Sequence, residues 1–240
     1  MLLIVYFFLH ILETINNIKI MIDFSISRKN MINNQLKVNN IKENNILEAI
    51  DSIPREIFLP FHLKSRAYLD EDTEIASNRY LIEPLIAGYI LQLSQIKITD
   101  VVLDLVCASG YTTAILSKLA KEVYGVDNNK LLLKESVKNH NSLNIQNSKF
   151  ILSYPKNGLK TKMKFDVIVI FGGVEFISDK VLNLLKNNGG RLITVFYNFN
   201  KVGKVGIIKK IKGKLSKKYY LDSNTPILND FKKIKKEFIF

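Results

Sequence analysis

The feature that most constrains this chain is an alternation of short apolar runs and amphipathic stretches that begins at residue 101. The apolar runs predict strands, and FDVIVIFG is apolar without a break, as expected of a strand covered on both faces. The strand candidates are VVLDLV, EVYGVD, KFILS, FDVIVIFG, RLITVFY, KVGIIKKI, KLSKKYYLD and KKEFIF. The helix candidates between them are YTTAILSKLA, NKLLLKESVKNHN and SDKVLNLLKNN. Repeated strand–helix units favour an α/β fold, a doubly wound, mostly parallel sheet with helices on both faces.

The chain divides into three predicted parts: an apolar extension over residues 1–20, a helical segment over 21–98 and the strand–helix domain over 99–240. In the helical segment, NNILEAIDSI has its apolar residues at helical spacing and ends before a proline, and EPLIAGYILQLSQI starts with a proline at a first helical position. The extension opens with MLLIVYFFLHIL, which is shorter than the ~20 residues of a membrane span. It also has no basic start and no small-residue cleavage site. We interpret this extension as the product of a start codon assigned upstream of the true one, or as a loosely docked helix. A membrane anchor is the alternative.

The cysteine and histidine content and the distribution of charge limit the kinds of site and partner that the chain can have. A single cysteine excludes an internal disulfide framework and is typical of a reducing, cytoplasmic setting, and three scattered histidines argue against a metal site or a Ser-His-Asp triad. The net charge is +13, but the last forty residues carry +9 of it, from twelve lysines and no arginine against three acids. Arginine is the residue favoured for bidentate phosphate and base contacts, so we interpret these lysines as a solvated face and expect no nucleic-acid partner. We also expect a monomer without stable membrane association.

Two acids mark a candidate ligand site. Ligands bind at the carboxyl ends of the central strands of such sheets, where Asp104 precedes a small-residue loop and Asp127 closes the next strand. An acid at the second position can accept hydrogen bonds from a ribose diol. The pair therefore suits NAD, FAD or S-adenosylmethionine, although the G-x-G-x-x-G pattern of dinucleotide sites is absent.

Several stretches carry a resemblance to a known family. AIDSIPREIFLPFHLKSRAYLDED resembles the N-terminal segment of protein-L-isoaspartate O-methyltransferases, with its proline-arginine-glutamate and alanine-tyrosine elements. VVLDLVCASGYTTAILSKLAKEVYGVD is similar to that family's cofactor loop, and FDVIVIFGGVEFIS and LLKNNGGRLITV resemble its next two blocks.

The resemblance implies a class I methyltransferase fold and methyl transfer from S-adenosylmethionine to the free carboxylate of isoaspartyl residues in damaged proteins. A carboxylate of pKa ~4 is already ionised at neutral pH and needs no general base, so alignment of the reactants is most of the catalytic task. Two alternatives stay open: a non-catalytic relative that binds protein or RNA, and a methyltransferase that acts on RNA or a small molecule. The cofactor-binding residues implied by the resemblance are Asp104, Val106, Cys107, Ala108, Ser109, Gly110, Asp127 and Tyr154.

The cofactor loop departs from the family pattern at two glycines. Val106 and Ala108 stand at the places of the first two glycines, and Gly110 keeps the third. Glycine tolerates backbone angles that other residues do not, so a strained residue there costs ~1–3 kcal/mol. The loop still predicts a cofactor cradle, with weakened affinity if its backbone keeps those angles. Cys107 is expected to be a small loop residue rather than a nucleophile.

The active-site loop departs further. In the family this loop reads G-x-G-Q-T-I-S-x-P, and counting back from Pro84 places Ile82 at the catalytic serine, Tyr80 at the threonine and Arg79 at the glutamine. The catalytic residues are therefore not identified, with Arg79, Tyr80 and Glu83 as candidates; Arg79 could clamp a substrate carboxylate or be an exposed loop residue. In SYPKNGL the family's adenine-side aspartate is missing, and Tyr154 is the candidate to stack there instead.

Overall fold

The computed structural model describes residues 23–198 and 202–233, and its centre is a seven-stranded sheet. In chain order its strands are β3 (Val101–Leu105), β4 (Glu122–Asp127), β5 (Ser148–Leu152), β6 (Val167–Val174), β7 (Gly190–Tyr197), β8 (Gly203–Ile211) and β9 (Lys214–Ser223). Their order across the sheet is β5-β4-β3-β6-β7-β8-β9. β3 to β7 run parallel, and β8 and β9 are antiparallel additions at one edge. The predicted doubly wound, mostly parallel sheet is confirmed.

Helices of the described residues precede the sheet and connect its strands. They are α1 (Phe24–Met31), α2 (Asn44–Ser52), α3 (Pro84–Ser94), α4 (Tyr111–Leu119), α5 (Lys130–Ser142) and α6 (Asp179–Leu182). A π-helical turn over Ile32–Leu36 and 3₁₀ turns, among them Arg55–Phe58 and Asn229–Phe231, complete the chain path. The helix predicted over SDKVLNLLKNN is only one turn long, because Leu184 and Lys186 leave the helix to hydrogen-bond with Phe165 beside β6.

The segment IASNRYLIEP, residues 75–84, which stands at the place of the family's active-site loop, forms most of a two-stranded hairpin of β1 (Thr73–Ala76) and β2 (Arg79–Leu81). Asn78 turns the chain at a φ of 53°, and the Glu74 side chain accepts a 2.8 Å hydrogen bond from its backbone N–H. Asparagine is one of the few residues that tolerates this left-handed region, so the turn forms without glycine.

Apolar side chains cover both faces of the sheet. The N-terminal segment packs on one face of the sheet and shares a core with it, which includes Leu36, Ile50, Ile90, Val169 and Ile193. The other face packs under α6 and the C-terminal turn, and every residue of β6 is buried, in agreement with its unbroken apolar run. The predicted strand KKEFIF and the extension over residues 1–20 lie outside the described residues.

The strand order places a ligand crevice at one point of the sheet. β4 and β5 lie on one side of β3 and β6 lies on the other, so the order reverses at β3. In open parallel sheets, ligands bind outside the carboxyl ends of the strands at such a reversal. The loop after β3 and the end of β4 are therefore the candidate site.

Candidate functional site

The loop after β3 keeps the left-handed turns of a glycine-rich loop although only one glycine is present. Val106, Ala108 and Gly110 have φ values of 65°, 50° and 89°. The backbone N–H groups of Val106 and Cys107 donate to the Val126 carbonyl of β4 at 2.8 and 3.1 Å, which holds the turn in place. Strain of this kind costs ~1–3 kcal/mol per residue and is greatest for a β-branched residue such as Val106.

Asp104 and Ser109 carry buried polar atoms that are not hydrogen-bonded. The Asp104 Oδ2 atom accepts hydrogen bonds from the hydroxyls of Thr112 and Thr113, both at 2.7 Å. Among the described residues, Asp104 Oδ1 and Ser109 Oγ find no partner. Burial raises the pKa of Asp104 to about 7, against the lowering effect of the two threonine hydroxyls. Buried polar atoms of this kind are available to a ligand with donor groups.

Three side chains of α5 support the carbonyls of this loop, and sequence reasoning did not identify them. Ser136 donates to the Ala108 carbonyl at 2.9 Å, and the Asn139 amide donates to the Ser109 carbonyl at 3.3 Å. His140 Nε2 lies 2.9 Å from the Gly110 carbonyl. Burial lowers the pKa of His140, so the neutral ring carries its proton on Nε2, where the carbonyl accepts it. The spacing of three polar residues at i, i+3 and i+4 in KESVKNHN could have indicated this supporting face.

Cys107 is an inert part of the same loop. Its side chain is 2% exposed, and burial raises the pKa of its thiol well above the ordinary value. The predicted role of a small loop residue agrees with this environment.

Asp127, at the end of β4, is completely buried and surrounded by donors. Arg79 Nε lies 3.0 Å from Oδ1 and 2.9 Å from Oδ2 of this carboxylate. The backbone N–H of Asn129 donates to Oδ1 at 2.9 Å, and that of Ala108 donates to Oδ2 at 3.1 Å. The structure therefore brings three of the predicted site residues together: Arg79, Ala108 and Asp127.

The second terminal nitrogen of Arg79 has acceptors of its own. Arg79 Nη2 donates to Asn128 Oδ1 at 2.6 Å and lies 3.0 Å from Asp230 Oδ2 in the C-terminal turn. Its Nη1 donates to the carbonyl of Asn78 at 2.9 Å. We call Arg79, Asp127, Asn128 and Asp230 the arginine clasp. With an exposed fraction of 4%, Arg79 is not the exposed loop arginine that was one of its two sequence interpretations.

Arg55, which lies in the sequence element PREIFLP, connects the active-site loop to the cofactor loop. Its guanidinium donates to the Ile82 carbonyl at 2.8 Å and lies 4.9 Å from the centre of the Tyr111 ring at the start of α4. Ile82, at the family's serine position, is 2% exposed and packs in the core. The proline-arginine-glutamate motif marks Arg55 in the sequence, but the sequence does not show which groups its side chain contacts.

Glu83 and Tyr80, two further candidates, are half-buried near other acids. Burial, followed by the negative charges of Asp72 and Asp70, raises the pKa of Glu83 to about 7. The backbone N–H of Glu83 donates to Asp72 Oδ1 at 2.9 Å. Burial and then Glu74 raise the pKa of Tyr80.

Tyr154, the candidate for adenine stacking, follows β5 and is 63% exposed. It lies at a surface groove of about 850 Å³ with Asn157 and Lys180. Within the described part of the chain, no hydrogen bond or ring contact joins its side chain to the loop after β3.

Neither a metal cluster nor a membrane-spanning helix is found in the described ranges, 23–198 and 202–233. No group of three or more His, Cys, Asp or Glu side chains there is arranged to hold a metal ion. No helix there is both long enough and apolar enough to cross a bilayer.

Comparison with known proteins identifies the family. The profile of the family described as Protein-L-isoaspartate(D-aspartate) O-methyltransferase matches residues 26–224. The chain is 28% identical over 193 residues to the protein-L-isoaspartate O-methyltransferase of Geobacter metallireducens, covering 80% of this chain and 89% of that one. It is 33% identical over 175 residues to the protein of the same name from Thermosipho melanesiensis, covering 72% and 87%.

A solved structure has the same fold. It is a protein-L-isoaspartate O-methyltransferase from Plasmodium falciparum in complex with S-adenosyl-L-homocysteine, with a TM-score of 0.72 and 20% identity. The match covers 85% of this chain and 98% of that one. The class I methyltransferase fold expected from the sequence is confirmed, and so is the family expected from the motifs. The chain belongs to the protein-L-isoaspartate O-methyltransferase family.

Proposed function

We propose that this protein transfers a methyl group from S-adenosylmethionine to the free carboxylate of isoaspartyl residues in damaged proteins. The resulting ester cyclises to a succinimide, which can reopen as a normal aspartyl bond, so the function is protein repair. The observation that carries the proposal is the loop after β3, which keeps three left-handed residues at the start of α4 in a chain of this family.

The residues of the loop fit the methionine end of the cofactor. Asp104 Oδ1 and Ser109 Oγ are buried and have no hydrogen-bond partner in the part of the chain that the structure describes, so they can accept hydrogen bonds from an ammonium group. We assign Asp104, Val106, Cys107, Ala108, Ser109 and Gly110 to this end of the cradle. Asp127 is assigned to the ribose and Tyr154 to the adenine.

Methyl transfer to a carboxylate does not require a side chain that acts as an acid or a base. When bound, S-adenosylmethionine supplies a methyl group on a positively charged sulfur. The accepting carboxylate is already ionised at neutral pH, because its ordinary pKa is ~4, so no residue has to remove a proton. Ile82 therefore removes a hydroxyl from the site without removing an acid–base step. The protein's contribution is to hold the carboxylate oxygen in line and to exclude water.

Glu83, Tyr80 and Arg79 remain the candidates for substrate contacts. Because burial and the neighbouring acids raise the pKa of Glu83 to about 7, its protonated form is accessible near neutral pH, and a protonated carboxyl can donate to a substrate carboxylate. Its neutral form also repels an anionic substrate less than an ionised one does. Arg79 supplies a positive charge but is held by Asp127 and Asp230.

We propose that the enzyme is cytoplasmic, acts as a monomer and binds neither metal nor nucleic acid. The one cysteine is buried, and Lys217, in the lysine-rich C-terminal strands, lies 3.7 Å from the centre of the Phe196 ring, packed on the sheet. We propose the division into an extension (1–20), a helical segment (21–98) and a methyltransferase domain (99–240).

Labelled methyl transfer tests the function. The full chain is incubated with methyl-labelled S-adenosylmethionine and either an isoaspartyl peptide or the matched aspartyl peptide. We expect base-labile label in the isoaspartyl peptide alone, because esters hydrolyse readily at high pH. Transfer to bulk RNA alone, or to neither peptide at saturating cofactor, contradicts the proposal.

A further inference from the structure

The arginine clasp closes the ribose end of the cofactor cradle. We propose that Arg79 competes with the cofactor's ribose for Asp127, and that Arg79 moves onto Asp230 when the cofactor binds. This inference rests on the proposed function, since it concerns binding of the same cofactor.

The first step of the argument is the number of donors around Asp127. A carboxylate offers about four lone-pair positions. Three N–H groups already occupy three of them, at 2.9–3.1 Å: the single Nε–H of Arg79, shared between both oxygens, and the backbone N–H groups of Asn129 and Ala108. One position is left for the two hydroxyls of a diol. A ribose diol that donates to this carboxylate must therefore displace a donor.

The second step identifies the donor that can leave. The N–H of Ala108 belongs to the loop that hydrogen bonds to β4 and α5 hold in place. Asn129 is the N-cap residue of α5, so the start of that helix fixes its N–H. Neither backbone group can move without unfolding its element. Arg79 is a long side chain at the start of the short strand β2 and can change rotamer without moving the backbone, so it is the group that yields.

The third step is the partner that Arg79 keeps. Removing the only partner of a buried ion is strongly destabilising. Arg79 Nη2 already lies 3.0 Å from Asp230, whose carboxylate has an exposed fraction of only 8%. Released from Asp127, the guanidinium still has a buried carboxylate and the Asn128 side chain, which makes the exchange feasible.

The C-terminal turn holds this second carboxylate in position. Asn78, next to Arg79, accepts a hydrogen bond from the N–H of Asn229 and donates to the Ile227 carbonyl at 3.4 Å. Asn128 donates to Asp230 Oδ1 at 3.3 Å. The hairpin turn and the C-terminal turn are thus joined on both sides of the arginine.

A purely structural role for Arg79 predicts the opposite effect on binding. If Arg79 only neutralises Asp127, its removal disturbs the cradle and weakens the cofactor. If Arg79 competes with the ribose, its removal strengthens cofactor binding. The direction of the change therefore separates the two roles.

Calorimetric titration of the full chain with S-adenosylhomocysteine measures this direction without catalysis. We expect Arg79→Gln to bind at least tenfold more tightly than the wild type. We expect Arg79→Lys to lie between them, because a single ammonium cannot span Asp127 and Asp230 together. Asp230→Asn should weaken binding severalfold, because the displaced arginine then loses its second carboxylate.

Arg191→Gln is the matched control. Arg191 also forms a buried ion pair, with Asp100 at 2.8 Å, but it lies at the opposite end of the sheet, where β7 begins. We expect its affinity to equal that of the wild type, and thermal unfolding confirms that each titrated variant is folded.

Equal or weaker binding by both Arg79 variants, with the wild type binding normally, overturns the competition and leaves the proposed function intact. Failure of all folded variants and of the wild type to bind at millimolar S-adenosylhomocysteine overturns the proposed function itself.

Discussion

Asp104 and Asp127 are both fully buried at the carboxyl ends of neighbouring strands, yet their surroundings are opposite. Asp104 accepts from two threonine hydroxyls on one oxygen and, within residues 23–198 and 202–233, has no partner on the other, and burial raises its pKa to about 7. Asp127 has a guanidinium and two backbone N–H groups. Asp104, whose charged form is disfavoured by burial, therefore keeps an oxygen that can accept from a ligand, whereas both oxygens of Asp127 already accept from donors of the protein.

The largest effect is expected from Asp127→Asn. The neutral amide leaves Arg79 without its closest carboxylate, and its NH₂ group faces donors where an oxygen stood. Breaking a buried ion pair from one side costs about 3–5 kcal/mol of unfolding free energy. Urea unfolding followed by circular dichroism at pH 7 measures the change. A loss below about 1 kcal/mol would mean that the clasp contributes little to the stability of the fold.

The next effect is that of Asp104→Asn, which should depend on pH. The pKa of Asp104 is raised in the fold from 3.8 to about 7, so the folded state holds a proton that the unfolded state loses first. The aspartate therefore lowers the unfolding free energy progressively as the pH rises from about 4 to about 7. Asparagine cannot ionise, so the variant should gain about 2 kcal/mol relative to the wild type between pH 5 and pH 7.

Unfolding curves of both proteins at pH 5, 6 and 7 check this dependence on pH. Comparison with the wild type at each pH cancels the titration of all other groups. A difference that stays constant across these pH values would show that Asp104 is ionised throughout.

A smaller gain is expected from Ala108→Gly. Ala108 has a φ of 50° and a side chain with little area to lose, so glycine relieves strain at small packing cost. We expect the unfolding free energy to rise by about 1 kcal/mol. Ala114→Gly, in the middle of α4, is the matched control and should be destabilising by roughly 1 kcal/mol. Thermal unfolding of both variants separates relief of backbone strain from the general effect of glycine.

The sequence predicted the parts of this site that depend on local pattern. The strand–loop–helix order placed Asp104 and Asp127 at strand ends, and the motifs around Gly110 indicated the family. The sequence could not predict the arginine clasp, because Arg79 and Asp230 are 151 residues apart and only the strand order brings them together. The sequence did not predict the backbone angles at Val106 and Ala108 for a similar reason. Hydrogen bonds to the next strand, β4, hold the turn, rather than the types of the residues in it.

The smallest effect on stability is expected from Tyr154→Ala, which extends the comparison to the adenine end of the cradle. The side chain is 63% exposed, so its loss should change the unfolding free energy by less than about 0.5 kcal/mol. If Tyr154 stacks on the adenine, the affinity for S-adenosylhomocysteine should nevertheless fall by about fivefold or more, because stacking on an aromatic ring contributes ~1–3 kcal/mol. Tyr154→Phe keeps the ring and should keep the affinity. An alanine variant that binds as tightly as the wild type would remove Tyr154 from the site. The affinity would then depend on the buried residues alone, and the clasp at Asp127 would be the main control on occupancy.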